Sequence, residues 1–205
     1  MHELKSKRIW LVWNYEIVNG RKTKVPMDPH GHGRSGSSKK FAHTWMSFEK
    51  AAEARERLKM DGIGFVIPEG YGVVDIDHMM DEMPEPVKSA FELFQSYCEK
   101  SPSGQGVHII FRVDKSKIPV VDGGFDNKTY YMKNSKTGVE IYLGGFTNRY
   151  MTFTGNVLKE LPVIDCTEGY LQYLEQFMRK EPVESNRSKA RSNMEKSNNS
   201  IKLKH

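Results

Sequence analysis

The sequence predicts an α+β fold built on a mainly antiparallel sheet, and three observations predict it. Short apolar, β-branched runs follow one another at hairpin distance, with turn signals such as Asn19-Gly20, Pro68-Glu69-Gly70 and Gly144-Gly145 between them. Helical periodicity is confined to a few separate stretches and does not alternate strictly with the strands, as it would in a doubly wound parallel sheet. Three of the strands carry polar groups at every second position, which divides one sheet into an apolar face and a charged one.

Taken in order, Ile9–Trp13 reads as a buried strand, and Arg21–Pro26 returns from it across Asn19-Gly20. Asp28 to Lys40 is rich in Gly, Ser, His and Lys and forms a loop; loops of this length inside a domain are functional or disordered. Ser47 opens a helix to about Met60, with Phe48, Ala51, Ala52 and Leu58 on one face. Gly62–Ile67 and Gly72–Asp77 are strands whose close spacing implies antiparallel neighbours. Val87, Phe91, Phe94 and Cys98 recur at helical spacing and predict a helix that ends before Pro102.

The loop Ser101-Pro102-Ser103-Gly104-Gln105-Gly106 leads into a strand over Val107–Arg112. Residues 114–138 are irregular, with an insertion around 122–136, and Val139–Leu143 is a strand. Tyr150–Gly155 returns from the Gly144-Gly145 turn, and a last helix runs from about Glu168 to Met178. The expected organisation is one domain over 1–178 and a basic polar tail over 179–205, disordered or a linker.

At 205 residues the chain is long enough for a sizeable core. It has no run of about 18 apolar residues, and Met1–Lys5 lacks the apolar segment of a signal peptide, which predicts a soluble cytoplasmic protein without a membrane span. Cys98 and Cys166 lie far apart without a Cys-x-x-Cys spacing, so neither a disulfide framework nor a structural zinc site is suggested. The net charge of +5 resides in the tail, which holds eight Lys/Arg against three Asp/Glu. Residues 1–40 hold nine basic against three acidic side chains, which leaves 41–178 at −6. A basic start beside an acidic middle suits a polyanionic ligand held partly by Lys/Arg and partly through metal ions.

The acidic middle has a pattern. Asp75 and Asp77 oppose Val74 and Ile76; His108 and Arg112 oppose Val107, Ile109 and Phe111; Glu140 and Tyr142 oppose Val139 and Ile141. Only Ile110 departs from it. Any one of these residues is explained by a solvated strand edge, but packing does not explain three strands with the same alternation. Adjacent carboxylates repel unless a cation lies between them, and two-metal catalysis needs such a group, with Asp75 and Asp77 bridging the ions and Glu140 completing the site. Ser103, Gly104, Gln105 and Gly106 would offer backbone N–H groups and a hydroxyl to phosphates, with His108 at the mouth of the loop.

In these residues the chain resembles the archaeo-eukaryotic primase superfamily, specifically the primase-polymerase domains of bacterial mobile elements and phages. The resemblance rests on Val73-Val74-Asp75-Ile76-Asp77, on Ser101 to His108 as a Ser-Pro-Ser-Gly-x-Gly-x-His element, and on Val139-Glu140-Ile141-Tyr142 followed by Arg149 to Gly155. Upstream it includes Trp13, Thr23-Lys24-Val25-Pro26 and Trp45-Met46-Ser47-Phe48, so that it covers about residues 8–155. It implies a DNA-directed nucleotidyltransferase that uses Mg²⁺ or Mn²⁺, with an RRM-like catalytic sheet, helices on one face, beside an N-terminal α/β subdomain. It also implies NTP or dNTP substrates, a single-stranded DNA template, a replicative helicase as partner, and Lys24 and Arg149 as phosphate ligands.

Two other readings stay open on the residues alone. One is a nuclease or replication-initiator endonuclease with His30-Gly31-His32 as metal ligands. The other is a non-catalytic RRM-like module that stacks bases on sheet aromatics.

Overall fold

The computed structural model of the chain describes residues 1–78 and 82–181. It is α+β, with two large antiparallel sheets, a small two-stranded ribbon and four α-helices among the described residues. In chain order these are α1 (His2–Ser6), β1 (Trp10–Val18), β2 (Arg21–Met27), a 3-10 helix (Lys39–Thr44), α2 (Phe48–Leu58), β3 (Gly62–Val66) and β4 (Tyr71–Ile76). There follow α3 (Glu85–Leu93), β5 (Tyr97–Lys100), β6 (Val107–Arg112), the short β7 (Val120–Val121), β8 (Gly124–Phe125) and β9 (Lys133–Asn134), then β10 (Val139–Leu143), β11 (Tyr150–Phe153) and β12 (Val157–Lys159). The last helix, α4 (Thr167–Tyr173), continues as a π-helical turn over Leu174–Met178. No helix among the described residues is long and apolar enough to cross a membrane.

The first hairpin follows the turn chemistry. Asn19 and Gly20 have φ of 51° and 75°, the positive angles of a two-residue turn whose twist matches its strands. β1 then pairs with β2 on one side and β3 on the other, and β11 adds beyond β3, in the order β11-β3-β1-β2. The second sheet runs β12-β5-β6-β4-β10-β9.

Two local expectations are corrected. β3 and β4 are not neighbours, because each belongs to a different sheet. Their connection crosses between sheets and is pinned by a parallel bridge of Glu69 to Gly144, with the Gly144 amide donating to the Tyr71 carbonyl at 2.9 Å. β11 likewise leaves the Gly144-Gly145 turn for the first sheet and does not return along β10. Close sequence spacing made both pairs look like hairpins, but partner choice follows the faces that must be buried.

The helix predicted to reach Cys98 stops at Leu93, Phe94 leaves the helical region at φ −110°, ψ 69°, and Tyr97–Lys100 is a strand. The spacing misled because Val87, Phe94 and Cys98, from a helix, its cap and a strand, all enter the same apolar cluster.

That cluster lies under one face of the six-stranded sheet: Val74, Ile76, Ile109, Phe111, Val139 and Ile141 pack with Ala90 and Phe94 of the α3 region and Tyr170 and Tyr173 of α4. A second cluster joins the two sheets. It gathers Leu4, Trp10, Ile63, Phe65 and Met151 with Tyr71, Val73, Tyr97, Ile110 and Tyr142. Ile110, the exception in the sequence pattern, is thereby explained: it lies where the first sheet covers the polar face of the second. At the C-terminal end, the Tyr131 amide donates to Met178 and the Lys180 amide to Thr129, at 2.7 and 2.8 Å, so pairing runs past the expected boundary at 178. The rest of the predicted tail, from 182 on, lies outside the described residues.

A Cβ on Gly144 would collide with the Pro68 carbonyl, which only backbone movement could relieve. Gly144→Ala is expected to destabilise the chain by about 2 kcal/mol, read as a lower urea midpoint with an unchanged denaturant slope.

Candidate active site

The register of the six-stranded sheet decides the site. Asp75 of β4 stands opposite His108 of β6 on one side and Glu140 of β10 on the other. His108 in turn faces Glu99 of β5, and Glu140 faces Lys133 of β9. Five polar residues, Glu99, His108, Asp75, Glu140 and Lys133, thus form one line across five strands. Two residues along, Tyr97, Ile110, Val73 and Tyr142 form the parallel apolar line that the first sheet covers. The site opens where that cover ends.

Asp77 lies one residue beyond the end of β4 and is exposed, yet it lines the same cleft of about 330 Å³ as Asp75 and Glu140. Lys24, Ser101, Ser103, His108, Lys133 and Arg149 also line it. Gly104, Gln105 and Gly106 do not. Their amides are satisfied inside the loop: Gly104 by the Ser101 carbonyl at 2.9 Å, Gln105 by the Ser103 hydroxyl at 3.3 Å and Gly106 by the Ser101 hydroxyl at 3.1 Å. In this conformation the loop presents its two serine hydroxyls, 3.0 Å apart, to the cleft. Gly106 has a steric reason as well, since a Cβ there would lie 2.5 Å from the Ile76 carbonyl and 2.8 Å from that of Asp77.

His108 is 3% exposed and sits edge-on between two carboxylates, with Nε2 3.6 Å from Asp75 and Nδ1 3.7 Å from Glu99. Both contacts exceed hydrogen-bond length, and Nδ1 is buried without a partner. Glu99 is fully buried and anchored by the amides of Thr154 and Gly155, each at 3.0 Å, and by the Tyr97 hydroxyl at 3.1 Å. It ties the segment after β11 to the histidine. Glu140 accepts from the Lys133 ammonium and the Tyr142 hydroxyl. Burial, then the bond to Glu140, pushes the Tyr142 phenol up, and the Arg149 guanidinium lies 4.8 Å from the centre of its ring.

Burial pushes the Asp75 carboxyl above the usual carboxylate range; His108 and Lys24 oppose the shift, while Asp77 and Glu140 add to it by repulsion. Asp75, Asp77 and Glu140 line one cleft, and carboxylate oxygens are the donor type that a hard divalent cation takes. Among the described residues no three ligand side chains are gathered at one point, and Lys133 occupies Glu140 as the local cation.

The sequence reading missed Glu99 and Lys133, and it placed Ser101 in the loop element without a role at the site. Glu99 shares a face with Tyr97 and alternates with Cys98 along β5, a signal hidden by the helical spacing through Cys98; Lys133 stands in the irregular 114–138 stretch and gave none. His30 and His32 line a separate cleft with Asp28 and do not join the carboxylates. The aromatic residues a base-stacking module would expose, Tyr97 and Tyr142, are buried beneath the first sheet.

The raised carboxyl has a consequence for stability. A native carboxyl that holds its proton more tightly than the unfolded chain weakens the fold as pH rises through and above its titration. In metal-free buffer Asp75→Asn should therefore raise the melting temperature at pH 7, with a gain that shrinks towards pH 4, measured by calorimetry across that range.

No family model matches the chain. Over 154 residues it is 30% identical to the DNA Primase-polymerase of Nitratiruptor phage NrS-1, an alignment that covers 72% of this chain and 19% of that protein. With the six-stranded sheet, its line of acids and histidine and the serine loop now in place, the chain is similar to a phage DNA primase-polymerase, of which it spans about a fifth of the length, 19%.

Proposed function

We propose that the chain is the catalytic segment of a primase-polymerase of the archaeo-eukaryotic primase superfamily. It transfers a nucleotide from an NTP or dNTP to a 3′-hydroxyl on a single-stranded DNA template, in the replication of a mobile element or phage. The observation that carries this reading is the Glu99–His108–Asp75–Glu140–Lys133 line, with Asp77 and the serine loop at the same cleft. The β5-β6-β4-β10 order, with α3 linking β4 to β5, supports an RRM-like catalytic sheet. The similarity to a phage DNA primase-polymerase supports the reaction class.

Asp75, Asp77 and Glu140 would hold Mg²⁺ or Mn²⁺, which when bound supplies neutralisation of the charge that develops on the phosphoryl oxygens. The chain's own groups do the rest. Lys24 and Arg149 carry positive charge on the rim of the cleft, where they pair with a triphosphate. Ser101 and Ser103 exchange their mutual hydrogen bond for phosphate oxygens. His108 lies between Glu99 and Asp75 on the wall of the same cleft, where its Nε2 edge, on the Asp75 side, would turn to the triphosphate. Lys133 is exposed enough to move from Glu140 to a phosphate when the carboxylate takes up a cation. A soluble cytoplasmic setting and a replicative helicase as partner complete the reading.

Primed extension on single-stranded DNA with Mg²⁺ or Mn²⁺, each nucleotide type in turn, tests it. Wild-type protein incorporates nucleotide; Asp77→Ala, at an exposed position, keeps its fold and falls below about 1% of that rate. Full activity in the variant, or metal-dependent cleavage of DNA without nucleotides, overturns the assignment.

A further inference from the structure

The segment after β2 builds a second cleft, of about 600 Å³, that the reaction above does not use; it is lined by Asp28, His30, His32, Arg34, Lys40, Phe41, His43 and Thr44. Its base is the buried Asp28 carboxylate, which accepts from the His30 amide at 2.9 Å and from His30 Nδ1 at 2.7 Å, while its second oxygen lies 3.8 Å from His32 Nδ1. The two imidazoles are stacked, 20° from parallel, with centres 6.1 Å apart. His43 directs Nδ1 to the Lys40 carbonyl at 3.0 Å. His30 and His43 thus use Nδ1, and among the described residues neither makes a hydrogen bond through Nε2. Arg34 pairs with Glu16, whereas Lys40 has no carboxylate partner among the described residues.

Charge and position point to the kind of ligand. Arg34 and Lys40 put permanent positive charge on the lining of the cleft beside the three imidazoles, which favours an anion. In the doubly protonated ring both nitrogens donate, so Nδ1 stays on its oxygen while Nε2 reaches the ligand. Lys40, whose Nζ lies 5.0 Å from the centre of the half-buried Phe41 ring, adds permanent charge.

The cleft is also joined to the catalytic one. The Ser37 hydroxyl donates to the Asn148 carbonyl at 2.5 Å, one residue before Arg149. β2 carries Lys24 in the catalytic cleft and leads to Asp28, about 13 Å further on at a strand's rise. We propose that the His30–His32–Lys40–His43 cleft is a phosphate-binding site for the single-stranded DNA that the catalytic cleft copies. This rests on the reaction proposed above for its polymer, but its binding can be read without catalysis.

Fluorescence anisotropy with a labelled single-stranded oligodeoxynucleotide, free of nucleotide and divalent metal, tests it on the full chain. Lys40→Ala and His30→Ala/His43→Ala should each weaken binding severalfold and make the log–log salt slope shallower by about 0.7 for every phosphate that is no longer neutralised, while Lys40→Arg retains both. Lys40 is exposed, so its variants answer the question even where the double histidine variant melts. Unchanged affinity and slope in the Lys40→Ala and histidine variants overturn the site. So does zinc uptake that the histidine variant loses with DNA affinity intact. Imidazole resonances of His30 and His43 that respond to inorganic tripolyphosphate and not to DNA assign the cleft to free phosphates and overturn the DNA reading. Should wild-type extension fail while this binding holds, the catalytic assignment falls and the site stands.

Discussion

The antiparallel register of β4 between β6 and β10 is the constraint on which the rest depends. Side chains directly opposite one another across antiparallel strands have Cβ atoms about 4.5–5.5 Å apart, so pairing Asp75 with both His108 and Glu140 sets the spacing of the site. A slip of one residue in either pairing would turn a whole strand over and send its acid into the apolar cluster under α3 and α4. Val74 and Ile76, wholly buried in that cluster, hold the register by making such a slip expensive.

The same sheet face has to be dry at one end and wet at the other. The first sheet covers Tyr97, Ile110, Val73 and Tyr142, and its cover stops one line short of the acids. That edge gives the site partial burial, enough to raise the Asp75 carboxyl and keep His108 out of water, while Asp77 and Lys24 remain reachable. β11 belongs to both arrangements: Met151 enters the cluster between the sheets, and the amides just after the strand anchor Glu99. A strand late in the chain thus closes a sheet begun by β1, and what looked like an N-terminal unit is completed by residues beyond the catalytic strands.

Much of this was legible in the residues, for a definite reason. Period-two alternation is local, so the faces of β4, β6 and β10 could be read from each strand alone, and the convergence of Asp75, His108 and Glu140 followed once they shared a sheet. Local reading failed where a second packing partner intervened. Phe94 and Cys98 mimicked a helical stripe because α3 and β5 bury into one cluster; Ile110 looked like an error because the cover sheet was invisible. The glycine loop kept its amides for itself, since Ser101 caps it from within.

The sequence by itself determined the α+β class, the first turn, the strand faces and the three acids with their histidine, because each depends on spacing within a few residues. Only the tertiary structure decided which strands are neighbours, that Glu99 and Lys133 end the polar line, and that His30, His32 and His43 gather in a cleft of their own. Those outcomes depend on contacts between residues far apart in the chain, where burial of shared faces selects the partner and local pattern carries no information about it.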